Sequence, residues 1–489
     1  MSALLQIISD PLTISLLIGG TALGIAIGAM PGLTVPMGLA LIISFTYVLE
    51  PVPGLAMLMG MYCGAVYGGS ITAILINVPG TPAAMLTAVD GNRMALKGEA
   101  GKALGIVTIS SFAGGIISAV ALIVAAPLIG QFALRFGPQE YFAVGVMGLS
   151  IVAGLSRNNI GKGIMAALIG LLIPTIGLDP ITSIPRFTFG NTNLLTGFEF
   201  IPMMIGIFGF RELLIQAGKQ KEGHHLLKKV TRVIPTWKDL KDISGITLIG
   251  STIGTLIGAL PGAGGPIASF LSYDTASRLN KKLEFGTGIK EGVAASECAN
   301  NAVTGGALIP LLSLGIPGDA AVAIMFGTFL MHGLTPGPTL FVKHPDIVEG
   351  IYASLILGNI VMLLIGLGCA KYIARISNVP LKYLLPVIAS LCIIGSYSPR
   401  NSIFDVGVMV AFGIAGYLLS NLGVPMIPLV LGIVLSPIIE QNLRAALIVN
   451  KGNLLDFFTR PISGTVLALT VLFLIWPVLA KGLASIARK

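Results

Sequence analysis

Residues 24–41 read GIAIGAMPGLTVPMGLAL, and residues 254–271 read GTLIGALPGAGGPIASFL. Each is an apolar run with glycines at four-residue spacing that meets a Pro-Gly pair and then turns apolar again. Small residues at that spacing let membrane helices approach closely. Proline removes an amide donor and clashes with the preceding turn, and glycine permits a sharp reversal. Both stretches therefore read as membrane helices broken part-way through. A second pair recurs in the same order, VYGGSITAILINVPGTPAAM (66–85) and VTGGALIPLLSLGIPGDAAVAI (303–324), if one residue is inserted. A third pair is 140–170 and 382–416, in which Tyr141 falls on Tyr383 and Arg157 on Arg400. The offset between partners stays between 230 and 243 residues, as expected of an internal duplication.

The composition sets the solvent for these segments. Only 10% of the 489 residues are charged and 54% are hydrophobic, against about 25% charged in a soluble domain. A soluble enzyme, a disordered chain and a nucleic-acid-binding module are excluded, and an integral membrane protein with several spans remains. The net charge of +9 reads as Lys and Arg gathered in cytoplasmic loops, because no basic run carries interleaved aromatics. Cys63, Cys298, Cys369 and Cys392 lie scattered in apolar stretches, and no Cys, His and carboxylate spacing suits a metal. The first thirty residues have no basic start and read as a mature membrane segment, not a signal peptide.

Hydropathy yields apolar segments near 12–30, 35–49, 55–78, 103–126, 140–155, 160–177 and 197–213, then 244–260, 266–276, 292–325, 350–370, 383–397, 405–420, 424–439 and 463–480. Some are too short for the roughly 20 residues a span needs, and others are too long. The expected fold is an all-α polytopic membrane protein of about 12 or more transmembrane and re-entrant segments, with discontinuous helices. Charge orients the halves. The 90–102 loop carries Arg93, Lys97 and Lys102, and its partner 328–349 only Lys343. The 46–54 loop has no Lys or Arg, and its partner 277–291 has four. The 127–139 loop has Arg135 alone, and its partner 371–382 has Lys371, Arg375 and Lys382. Equivalent loops then lie on opposite sides of the membrane, which is an inverted-topology repeat. The division expected is a membrane repeat at 1–210, a basic cytoplasmic linker at 211–243, an inverted repeat at 244–440, and a periplasmic loop with a terminal helix at 441–489. The N-terminus faces out and the C-terminus in.

Four breaks are the candidate chemistry: Met30 to Thr34, Asn77 to Pro82, Leu260 to Gly265 and Gly315 to Asp319. Broken helices in paired repeats free N–H groups for an anion and carbonyls for Na⁺; the plainer alternative is a kink that helps packing. The candidate substrate-binding residues are Pro31, Gly32, Thr34, Asn77, Pro79, Gly80, Thr81, Pro261, Gly262, Gly264, Asn301, Pro317 and Gly318. Intramembrane carboxylates are costly and usually functional, so Asp319 and Glu297, with Asn300 and Thr304, form the candidate ion-coupling set. Either carboxylate could neutralise Na⁺ or carry a proton; alternatively Glu297, a few residues past Lys290, sits solvated at the cytoplasmic mouth. Ser70 and Thr72 are polar neighbours. Arg157 and Arg400 either attract an anionic substrate or anchor helix ends.

These motifs resemble the large membrane subunit of the tripartite tricarboxylate transporters. The resemblance covers almost the whole chain. It rests on the G-x-x-x-G-x-[LM]-P-G elements ending at Gly32 and Gly262, on YGGSITAILINVPGTPAA (67–84), on LGIPGDAAVAIM (314–325) and on HGLTPGPTLF (332–341). It implies a bacterial inner-membrane symporter that works with a small membrane subunit and a periplasmic solute-binding protein. It also implies a carboxylate substrate and coupling to an ion, Na⁺ in the first place. Asp319 stands where the family pattern leads one to expect a small hydroxyl residue. No cofactor and no nucleic-acid partner is expected, and the lipid bilayer is the remaining partner. No G-x-x-x-x-G-K-[ST] occurs, so ATP hydrolysis is not expected. Two rival classes are a passive anion channel, which needs no paired broken helices, and an intramembrane enzyme, for which no catalytic constellation is present.

Overall fold

The computed structural model describes residues 2–30, 32–154, 160–218, 233–376 and 381–486. Pro31, Arg157 and residues 219–232 of the basic stretch lie outside these.

The main helices run in chain order as α1 Pro11–Gly28, α2 Val35–Ile42, α3 Pro51–Ile76, α4 Met85–Met94, α5 Ala100–Ala133, α6 Pro138–Gly154, α7 Ile160–Leu172 and α8 Phe200–Ala217. They continue as α9 Trp237–Gly258, α10 Gly264–Leu279, α11 Lys290–Leu314, α12 Ala320–Met331, α13 Pro345–Ile376, α14 Leu381–Tyr397, α15 Ile403–Asn421, α16 Met426–Val449 and α17 Pro461–Ile486. The one strand pairing among the described residues is the short antiparallel Gly177–Leu178 with Pro185–Arg186. Among the described residues, eight helices are long and apolar enough to cross a bilayer, and five shorter ones are apolar. The chain is an all-α polytopic membrane protein.

Several sequence boundaries move, because helices run into stretches read as loops, as Pro345–Ile376 does into 371–382. The stretch read as a 90–102 loop is helical. A π-helical elbow, Ala95–Glu99, joins α4 to α5, and Gly98 alone leaves helical geometry, at φ 86°. The loop placed at 127–139 shrinks to a few residues, because α5 runs on past Pro127 to Ala133. Hydropathy marks where charge begins, but a helix continues beyond that point wherever its backbone bonds remain satisfied.

Two compact units divide the fold, and each draws on both halves of the chain. Unit 1 comprises Met1–Gly130, Phe200–Ala259 and Ala263–Tyr417; unit 2 comprises Gln131–Glu199, Leu260–Gly262 and Leu418–Lys489.

In unit 1 the same helix pair occurs twice. α1 lies on α3, where a Cβ at Gly24 would sit 2.3 Å from the Met61 carbonyl oxygen and one at Gly68 2.4 Å from that of Ile25. α9 lies on α11, where a Cβ at Gly254 would sit 2.3 Å from the Ala299 oxygen and one at Gly306 2.4 Å from that of Thr255. Residues of α1 map onto α9 with a shift of 230, and residues of α3 onto α11 with a shift of 238. The turns obey the same rule: Gly80 N donates to Gly69 O (3.0 Å) and Gly318 N to Ala307 O (3.2 Å). The register between α3 and α11 is thus a constant 238, and the inserted residue of the sequence comparison is not needed. Because backbone faces backbone at Gly24, Gly24→Ala should cost about 1–3 kcal/mol through overpacking, read as a lower unfolding midpoint in detergent. Gly19, which has nothing within 4 Å of its would-be Cβ, is the control.

In unit 2, α7 crosses α16 closely, with Gly170 against the Leu429 oxygen and Gly432 against that of Ala167. Beyond the end of α7 an ion-pair network ties the Gly177–Arg186 turn to α16. Arg444 pairs with Asp179 (2.6 Å) and Glu440 (3.3 Å), and Arg186 with Glu440 (2.5 Å) and Asp179 (3.4 Å). The Arg444 guanidinium holds the Asp179 carboxyl well below the usual carboxylate range, helped by the Thr182 and Ile181 amides. A depressed folded pKa stabilises above the unfolded value and is lost as pH falls through the folded one. Wild-type protein should therefore lose unfolding temperature below about pH 4, and Asp179→Asn should flatten that acid limb in a melting series.

Candidate substrate and ion site

The two members of each break pair solve their reversals differently. In the first, Gly32 (φ 92°) and Gly262 (φ 80°) take the left-handed conformation expected of the Pro-Gly pair. In the second, the left-handed residues come earlier, Asn77 (φ 55°) and Gly315 (φ 76°), each closing its helix as a C-cap. Gly80 and Gly318 are not left-handed. They are glycines because backbone passes them: a Cβ would sit 2.0 Å from the Gly28 oxygen at Gly80 and 2.5 Å from the Gly258 oxygen at Gly318. The reason assigned to these two glycines from sequence, a sharp reversal, is thus replaced by close approach.

The half-helices that follow the breaks pack across the two halves of the chain. Pro82–Ala84, which leads into α4, lies on α10, and α12 lies on α2. Ala83 Cβ and Asn300 Oδ1 both crowd the space a Cβ of Gly265 would occupy, at 2.9 and 2.8 Å. Three of these starts have a polar residue at the N-cap position, and two of the three use it as a cap. Thr34 Oγ1 accepts from Met37 N (3.3 Å), and Asp319 Oδ1 accepts from Val322 N (2.8 Å). Thr81 does not cap its helix, and its hydroxyl is buried with no partner. Asp319 also accepts from the Tyr62 hydroxyl at Oδ2 (2.6 Å).

Glu297 is wholly buried on α11, so it is not solvated at a cytoplasmic mouth. Its Oε2 accepts from the Ser70 hydroxyl (2.5 Å) of α3 and the Thr87 hydroxyl (2.8 Å) of α4. Its Oε1 accepts from the Ser111 hydroxyl (3.1 Å) of α5 and Asn300 Nδ2 (3.3 Å). No cation pairs with it among the described ion pairs. Four donors around one carboxylate satisfy the acceptor-only form of the group.

Of the remaining candidates, Thr304 bonds back to Asn301 O (2.7 Å) on its own helix and does not join the Glu297 cluster. Asn301 points its Nδ2 at the Met362 sulfur (3.3 Å) and leaves Oδ1 without a partner. Asn77 is exposed, Pro79 half-buried, and Pro261 and Pro317 buried. Gly264 starts α10 at φ 63°. The Gly32 carbonyl accepts from Gln216 Nε2 (2.9 Å), whose donor also reaches Glu212 (2.8 Å). Arg400 makes a two-point pair with the buried Asp405 (2.8 and 3.0 Å), as a helix-end anchor would.

Sequence reading missed Tyr62, Thr87, Ser111 and Gln216. Thr87 and Ser111 carry little signal, because a Ser or Thr hydroxyl in a membrane helix ordinarily bonds back to its own helix. The adjacent Ser110 and Ser111 in an otherwise apolar run were the visible hint.

The model of the tripartite tricarboxylate transporter TctA family matches residues 14–431. An Agrobacterium vitis protein described as an uncharacterized 52.8 kDa protein in the TAR-I ttuC' 3' region is 38% identical over 450 residues, covering 92% of this chain and 90% of its own. A second from the same organism, in the TAR-II ttuC' 3' region, is 41% identical over 217 residues, 44% of this chain and 90% of its own. No solved structure matches. With its broken helices, its buried carboxylate and a family match across most of its length, the chain belongs to the tripartite tricarboxylate transporter TctA family.

Proposed function

We propose that this chain imports an organic di- or tricarboxylate across a bacterial inner membrane, driven by an ion gradient, with Na⁺ as the coupling ion. A periplasmic solute-binding protein delivers the substrate, and a small membrane subunit completes the system. The halves 1–210 and 244–440 act as inverted repeats about the 211–243 linker, with the N-terminus outside and the C-terminus inside. Access alternates around a site to which both halves contribute. Asp319 and Glu297 handle the ion, and Thr81 with its neighbouring break handles the carboxylate.

The observation that carries this reading is the Thr81 hydroxyl. A buried unpartnered hydroxyl is costly, and this one stands where its half-helix begins, a position that favours an anion. The packing of Pro82–Ala84, from the first half, on α10, from the second, fits a site shared by the two halves. Thr81→Val keeps the shape and removes the donor. It should raise the half-saturating carboxylate concentration by roughly tenfold to a hundredfold, the scale of one hydrogen bond to a charged group, with little change in ion dependence. Uptake by proteoliposomes containing the full system should collapse when the Na⁺ and proton gradients are removed. Concentrative uptake without either gradient overturns the symport reading, and labelling of Lys221→Cys from outside intact cells overturns the topology.

A further inference from the structure

One carboxylate in unit 1 has no part in the mechanism so far. Asp90, on α4, is wholly buried. Its Oδ2 accepts from the Tyr273 hydroxyl (2.7 Å) of α10. Its Oδ1 accepts from three amides in the turn that leads into α11: Gly286 N (3.0 Å), Gly288 N (2.7 Å) and Ile289 N (3.1 Å). Gly286 and Gly288 are left-handed, at φ 83° and 93°, which is how this short turn aims its amides at one atom. The N-cap of α11 is Ile289, which has no side chain able to cap. Asp90 instead holds, from another helix, the turn just ahead of α11 and the amide of the N-cap residue itself, and its charge suits the positive end of a 25-residue helix.

Thr87 lies three residues before Asp90, on the same face of α4. Thr87 donates to Glu297 Oε2 and pairs with the Ser296 hydroxyl (3.0 Å). Glu297 is two turns into the helix whose leading turn, up to the N-cap amide of Ile289, Asp90 holds. One face of α4 is therefore pinned to α11 at two points, the structural one at its start and the chemical one at Glu297.

We propose that Asp90 is a positioning residue for the ion site: it seats α4 on the N-terminus of α11 so that the Thr87 hydroxyl reaches Glu297. The proposal rests on Glu297 as the ion-coupling carboxylate and goes beyond it by naming what sets that site's geometry. Gly292 offers a second handle on the same contact. A Cβ there would lie 2.0 Å from Asp90 Oδ2, so Gly292→Ala displaces the carboxylate while leaving every charge in place.

The test is saturable binding of radioactive sodium by the full chain in detergent. Asp90→Asn and Gly292→Ala should each weaken sodium binding by roughly tenfold or more, the scale of one hydrogen bond to a charged group. Tyr273→Phe, which removes one donor and leaves the three amides, should change it far less. In a Thr87→Val background, Asp90→Asn should add little, because the residue acts through Thr87. Wild-type affinity in both Asp90→Asn and Gly292→Ala overturns the proposal, and so does full additivity with Thr87→Val. Glu297→Gln separates the two readings. If Glu297→Gln binds sodium as the wild type does, or the wild type shows no saturable binding, the ion site itself is misassigned. If Glu297→Gln loses sodium while Asp90→Asn keeps it, only the role of Asp90 falls.

Discussion

Glu297→Gln should leave a folded, inserted protein whose ion-driven uptake falls on the order of a hundredfold, the scale of losing about 3 kcal/mol of interaction at a charged group. Glutamine keeps the shape and one acceptor oxygen. Ser70, Thr87 and Ser111 are hydroxyls, so those left facing the new amide can turn and accept from it. The negative charge that would face a cation is gone. Glu297→Leu should behave differently: four buried donors lose their acceptor at about 1–3 kcal/mol each, against a total stability of about 5–15 kcal/mol. The leucine variant should be scarce in the membrane, and the glutamine variant abundant but uncoupled. Uptake at matched expression checks both, and Na⁺ dependence in Glu297→Gln equal to wild type would remove Glu297 from the ion site.

Gly80→Ala should damage folding and transport together. The added methyl would meet backbone on both sides, 2.0 Å from Gly28 O and 2.9 Å from Gly69 Cα. Neither neighbour is a flexible side-chain end, so the turn itself must move. Overpacking of this kind costs about 1–3 kcal/mol, occasionally more. The displaced turn carries Thr81, so the half-saturating carboxylate concentration should rise along with the loss of melting temperature. Gly318→Ala, 2.5 Å from Gly258 O and 2.6 Å from Ala307 Cα, should repeat the stability loss and disturb Asp319 in place of Thr81. Wild-type melting and uptake in Gly80→Ala would show that the close approach is not required.

The helical class, the broken spans and the paired motifs were all legible in the sequence, because they rest on patterns with strong physical causes: apolar length, Pro-Gly interruption and four-residue glycine spacing. The repeat exposed the breaks because both copies share them. It could not expose the Glu297 cluster, because that cluster is where the copies differ. At the register of 238, Glu297 corresponds to Met59 and Ser70 to Leu308. The polar hub thus has an apolar counterpart, and a search for shared features passes over it. The same holds at the turns, where Thr81 corresponds to Asp319. Single hydroxyls such as Thr87 and Ser111 become informative only when long-range packing brings them to one carboxylate. Asp90 was hidden by the opposite effect, since a charged residue close to Arg93 and Lys97 looks like part of a solvated loop.

The partners of Glu297 are made long before Glu297 itself. Ser70, Thr87 and Ser111 precede it by 227, 210 and 186 residues. At a synthesis rate of about 5–20 residues per second, roughly 10–40 s separate Ser111 from the carboxylate it serves. During that interval the first half sits in or beside the bilayer with hydroxyls that lack their final acceptor and a short helical turn, Pro82–Ala84, that lacks α10 beneath it. The membrane insertion machinery therefore has to hold an incomplete half in waiting, and a chain truncated between the two halves should be a better substrate for membrane quality-control proteases than either its length or its hydropathy would suggest.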